Sequence, residues 1–90
     1  MSTHKINGQK WRVKFTNEEL CVGDYAATSY TFKEIIIRPN QGKRDMLDTI
    51  IHEVLHAALP HLTEEAVGKA AGVCTDVIYK NKKRVGIKKG

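Results

Sequence analysis

Cysteine is scarce in this chain of 90 residues: Cys21 and Cys74 lie far apart and make no CxxC spacing. A secreted domain of this size usually carries a denser disulfide framework, so the expectation is a reducing compartment, with both thiols acting as small apolar side chains. No apolar run approaches the ~18 residues that a membrane span needs. The opening "MSTHKINGQKW" has no apolar stretch of the signal-peptide kind. These absences lead us to expect a soluble protein of the cytoplasm. Proline is also rare: only Pro39 and Pro60 occur, and each falls where a periodic segment stops. There is no internal repeat, and the length leaves room for one small domain.

What is present is ordinary globular composition, 41% hydrophobic and 28% charged, with a net charge of +5. Much of the positive charge lies in the tail "YKNKKRVGIKKG". A basic tail can contact nucleic acid or another polyanion, although no aromatic residue interleaves the run. The expected organisation is a domain over residues 1–80 followed by a basic tail over residues 81–90. "RVGI", residues 84–87, is a candidate short strand.

The expected fold is α+β: a small antiparallel sheet or hairpin followed by two packed helices. Asn7-Gly8 separates two short strand candidates and is a strong hairpin signal. Trp11, Val13 and Phe15 alternate with Arg12 and Lys14, as in a strand with one wet face. His4 reads as a tail residue and Trp11 as a core anchor. Gly23-Asp24 marks a turn within a second β element. In that element Thr31 to Arg38 is rich in β-branched and aromatic residues and stops at Pro39. From Lys43 or Arg44 the period changes. Met46, Leu47, Ile50, Ile51, Val54, Leu55 and Ala58 recur at helical spacing until Pro60. Thr63 then has the character of an N-cap, with Glu64 and Glu65 in the first turn. Val67, Ala70, Ala71, Cys74, Val77 and Ile78 supply the apolar face of a second helix that fades near Lys80.

Residues 50–67, "IIHEVLHAALPHLTEEAV", are the most apolar part of the chain, yet they hold three of its four histidines and three glutamates. Within them, His52-Glu53-Val54-Leu55-His56 matches H-E-x-x-H. Residues four apart share one helical face, so both imidazoles can give a nitrogen to one Zn²⁺. Glu53 points to the neighbouring side of that face, where it can act as general base toward water activated by the metal. A zinc ion would also stabilise a domain whose core is small. A third ligand is needed, and His61, Glu64 and Glu65 follow closely. His61 sits five residues after His56, which does not fit the spacing of the longer three-histidine motif, so it reads as a corner residue. The corner at Pro60 lets the second helix fold back across the first, bringing its opening turn toward the histidines. Between the two glutamates the sequence decides little; Glu64 is taken first and Glu65 second. Asp76 can be read as orienting a ligand histidine through a hydrogen bond or as surface charge. Tyr25, Tyr30 and Tyr79 can be read as oxyanion donors or as packing residues.

Residues 23–67 resemble the small phage and bacterial zincin-like proteins, minimal relatives of the gluzincin and SprT-like metallopeptidases. The resemblance rests on His52-Glu53-x-x-His56 within "TIIHEVLHA" and on the following "PHLTEEAV". It implies Zn²⁺ on His52 and His56, Glu53 as general base, and a glutamate of the second helix as third ligand, best placed at Glu64. The implied activity is hydrolysis of a peptide bond in a protein or peptide substrate. The chain departs from the SprT-like pattern in having no histidine after His61, and from full gluzincins in having no room for a second subdomain. The alternatives are a non-catalytic, zinc-stabilised module that binds a protein or nucleic acid, and a basic nucleic-acid binder in which the motif is incidental.

Overall fold

The computed structural model describes residues 1–20 and 23–86. The chain runs β1 (Ser2–Ile6), β2 (Gln9–Phe15), β3 (Ala26–Ser29), β4 (Glu34–Ile37), α1 (Lys43–Ala58), α2 (Glu64–Lys80) and a single turn α3 (Lys82–Val85). It is the expected α+β arrangement, a sheet followed by packed helices.

The first hairpin follows from its turn. Asn7 and Gly8 adopt φ of 52° and 76°, the left-handed pair that matches the twist of two antiparallel strands. Asn7 also donates from Nδ2 to the carbonyl of Ala58 at 2.9 Å, tying this turn to the end of α1. His4 is not in a loose tail: it pairs with Trp11 in the β1–β2 ladder, and its Nε2 lies 2.7 Å from Ser2 Oγ. Trp11 and Val13 are buried, whereas Phe15, where β2 ends, is 46% exposed.

The sheet is mixed rather than wholly antiparallel, in the order β1-β2-β4-β3. β2 and β4 are parallel, and β3 pairs antiparallel with β4 on the far side. The chain leaves β2, forms the edge strand β3, and turns back to insert β4 between the two. Local turn signals identify antiparallel neighbours only, and the parallel pairing has no such signature. The expected strand over residues 31–38 is correspondingly shorter. Its first residues form the β3–β4 turn, in which Lys33 takes φ of 52°. Glu34, Ile35, Ile36 and Ile37 are all buried, which suits three consecutive isoleucines to an interior strand.

α1 lies on the sheet through Met46, Ile50, Val54 and Ala57, which meet Trp11, Val13, Ile35 and Ile37. α2 starts where Thr63 caps it, its hydroxyl accepting from the Ala66 amide at 3.1 Å. α2 packs mainly on α1, along the line Val67, Ala71, Thr75. Thr75 Oγ1 donates to Asp48 Oδ1 at 3.1 Å and joins the two helices. The buried seam is narrower than the apolar stripe: Cys74 is exposed, and Val77 is 56% exposed. One neighbouring helix covers only a narrow strip of another, which is why the outer part of the stripe stays wet. Residues 82–85 are helical, so the expected strand over residues 84–87 does not form there. Cys21 and residues 87–90 of the basic tail lie outside the described residues. No helix among those described is long and apolar enough to cross a membrane.

Candidate metal centre

His52 and His56 stand one helical turn apart on α1, with ring centroids 4.9 Å apart. Pro60 cannot continue the helix, and α1 gives way at Ala58. Five residues later Thr63 opens α2, running back across α1. This corner puts Glu64 in the first turn of α2, directly over the imidazoles. Its Oε1 lies 2.6 Å from His52 Nε2, and its Oε2 lies 2.7 Å from His56 Nε2. The positive end of the α2 dipole favours a carboxylate at this position. Gly68 follows one turn later, and a Cβ there would stand 3.9 Å from His52 Cε1, so α2 passes close to the ring.

Loss of hydration works against the charged form of Glu64. The hydrogen bond with His52, together with the positive character of His52 and His56, outweighs it and holds the carboxyl below its usual range. The Glu64 side chain is 74% exposed, whereas those of His52 and His56 are 22% and 18% exposed. The site is therefore a half-buried pair of imidazoles with an exposed acidic cover.

The three side chains fit a divalent cation. Their donor atoms all lie within 4.8 Å of one another. A tetrahedral zinc with bonds of ~2.1 Å separates its donors by about 3.4 Å, so Glu64 would have to withdraw by less than about 1 Å to admit the ion. Its exposure leaves it free to do so. Nitrogen, nitrogen and carboxylate oxygen form a donor set found in catalytic zinc sites. Glu65 and His61, the other two third-ligand candidates, are both exposed and stand outside this cluster.

Glu53 is beside the cluster and not within it. Its Oε2 is 4.0 Å from His52 Nε2, and its side chain is only 12% exposed. Its other oxygen, Oε1, accepts a hydrogen bond of 2.8 Å from Thr28 Oγ1 on β3. The same hydroxyl lies 3.3 Å from the Glu53 carbonyl. Just past the end of β3, Tyr30 donates its hydroxyl to the His56 carbonyl at 2.7 Å, and its ring meets Trp11 edge-on at 6.0 Å. Edge strand β3 and the turn that follows it thus grip α1 at two residues of the motif, Glu53 and His56. Neither contact has a signature in the sequence: Thr28 reads as one more β-branched strand residue.

A depression of about 250 Å³ opens beside the motif, lined by Tyr25, Ala26, Asp48, Thr49, His52 and Glu53. A second of about 410 Å³ shares Tyr25, Asp48 and Thr49 and extends past Gln41. Together they make a trough between β3 and α1 with Glu53 at one end. Tyr25 is 66% exposed on its rim. Tyr79 is far from this chemistry, its ring taking Lys82 Nζ at 4.3 Å and Arg44 at 5.7 Å. Asp76 orients no histidine: it pairs with Lys80 at 3.3 Å and with Arg44 at 3.8 Å, as surface charge does. Comparison with protein-family models, with curated proteins and with solved structures yields no match.

Proposed function

We propose that the protein is a zinc-dependent peptidase of minimal zincin type that cleaves a peptide bond in a protein or peptide. The observation that carries the reading is the convergence of His52, His56 and Glu64 on one point, with the carboxylate of Glu53 beside it at the end of an open trough. A zinc ion held by the three residues supplies Lewis acidity, making water acidic enough to give up a proton near neutral pH.

The remaining work belongs to the chain's own groups. Thr28 occupies Oε1 of Glu53, which leaves Oε2 turned toward the cluster. That oxygen accepts the proton of the attacking water. The same carboxyl then returns the proton to the leaving amine nitrogen, and Glu53 ends the cycle ionised as it began. Substrate enters along the trough. β3 is the edge of the sheet, and an edge strand offers unpaired backbone groups to an extended peptide. Tyr25, on the rim, is the tyrosine best placed to meet a developing oxyanion.

The test is incubation with an unfolded protein in the presence of zinc. Cleavage is expected, lost on adding a chelator and restored by excess zinc. Zinc bound at one equivalent without cleavage would leave the alternative, a metal-stabilised binding module. No bound zinc would remove both readings.

Thr28 carries a second prediction. Thr28→Val should lower kcat by roughly 10- to 100-fold, the worth of one hydrogen bond to a charged group, with KM and zinc content unchanged. Thr28→Ser, which retains the hydroxyl, should restore most of the rate. A Val variant as fast as the parent would show that Glu53 is oriented by packing alone.

A further inference from the structure

We propose that the outer face of the sheet binds single-stranded nucleic acid, independently of the chemistry assigned to the metal centre. β2 alternates. Trp11 and Val13 point into the core, so Lys10, Arg12 and Lys14 point away from α1. The register places Lys5 opposite Lys10 and Thr3 opposite Arg12, so Lys5 joins the same outer face. Lys33, at the end of the β3–β4 turn, accepts the Arg12 amide on its carbonyl at 3.0 Å and adds a fifth cation beside them.

Acids answer only part of this charge. Glu34 pairs with Arg12 at 2.6 Å and with Lys14 at 3.2 Å, and Glu19 also reaches Lys14 at 3.2 Å. Lys5, Lys10 and Lys33 have no acidic partner among the described residues. Two features here are costly for the fold itself. Like charges directly opposite each other in a ladder repel, and Lys5 faces Lys10. Lys33 holds a left-handed φ of 52° that glycine or asparagine adopts more readily. Beside them Phe32 is 70% exposed. Lys10, Arg12, Thr31, Phe32 and Lys33 together line one depression of about 260 Å³. Unanswered cations and a bare aromatic ring on the same depression fit a ligand that brings both phosphate and a flat ring.

A single strand is such a ligand. Alternate residues of a β-strand are roughly 6.8 Å apart, so Lys10, Arg12 and Lys14 form a row that a phosphate backbone can follow. Phe32 then offers a face on which an unpaired base can stack, the combination used by sequence-tolerant single-strand binders. A duplex keeps its bases stacked inside and would leave the ring without a partner. An acidic peptide would satisfy the lysines and ignore the ring.

Fluorescence anisotropy of a labelled mixed-sequence 12-nucleotide single strand, titrated with the full chain at several salt concentrations, tests this. Log affinity should fall linearly with log salt, with a slope of about −0.7 per phosphate contacted. Lys10→Glu with Lys33→Glu should lower affinity at least tenfold. Phe32→Ala, at an exposed position that leaves folding intact, should lower it roughly 5- to 150-fold, the range of one stacked base. The same Phe32→Ala change should leave heparin binding unaltered. Absence of binding at low salt would overturn the proposal. So would binding indifferent to Phe32, or equal affinity for a duplex or for polyglutamate. Affinity that survives the sheet substitutions and vanishes in Lys88→Glu with Lys89→Glu would assign the contact to the tail and equally overturn it.

Discussion

Glu53→Gln should bind one zinc per chain as the parent does and should hydrolyse an unfolded protein about 10²–10⁴ times more slowly. The amide is nearly the size of the carboxylate and can still accept the Thr28 hydroxyl at Oε1, so the packing of β3 against α1 is preserved. What it loses is an anionic oxygen at the position of Oε2, 4.0 Å from His52 Nε2. Among the described residues, Glu53 and Glu64 are the carboxylates shown beside the histidines, and Glu64 is not free to replace Glu53. Glu64 is engaged with both histidines, and Asp48, which lines the same depression, accepts from Thr75. Zinc content measured with single-turnover rates separates the two effects. A variant that keeps zinc and full rate would remove Glu53 as the base while leaving the metal centre intact. A variant that loses zinc would mean that Glu53 itself belongs to the ligand set.

The second large effect is on stability. Zinc at 100 times its Kd should stabilise the folded chain by about 2.7 kcal/mol, if the unfolded chain does not bind it. A domain of this length shifts its Tm by roughly 4–8 °C per kcal/mol, so the melting point should rise by about 10–20 °C. His56→Ala should abolish the shift, because it removes a nitrogen held on the rigid helix. Glu64→Ala should weaken it and lower the Tm of the zinc-free protein little, since the carboxylate is 74% exposed and its hydrogen bonds compete with water. Glu65→Ala and His61→Ala should leave the shift as it is, as both lie outside the cluster. Acid should release the metal, because protons compete for the imidazole nitrogens. Thermal melts with and without zinc across the variants provide the measurement. A Tm unchanged by zinc in the parent would end the case for a resident ion.

The histidine pair and Glu53 were legible because a helix brings residues one turn apart onto one face, and the apolar period around them is strong. Thr63 was legible as a cap because it is followed by two acids, and Pro60 as a stop because it lacks a donor. Glu64 and Glu65 were close to equivalent in the sequence, and the crossing of α2 over α1 is what turns Glu64 toward the imidazoles. The reading went astray where pairing is not local. Tyr30 to Lys33 continue the β-branched and aromatic composition of their neighbours, yet they form the turn that lets β4 slip between β2 and β3. The width of the α2 stripe misled for a similar reason, because apolar character says which residues can be buried and only the neighbours decide which are.

Elements that depend on contacts within a turn or a hairpin could be read directly from the chain: the Asn7-Gly8 reversal, the two helices and their limits, and the motif on α1. The parallel β2–β4 pairing, the approach of Glu64 to His52 across 12 residues and the grip of Thr28 on Glu53 across 25 emerge when the elements pack together. The physical reason is range. Periodicity and caps record the free energy of a few successive residues, whereas these contacts arise from how finished elements dock over a shared core, and no short stretch of chain encodes that.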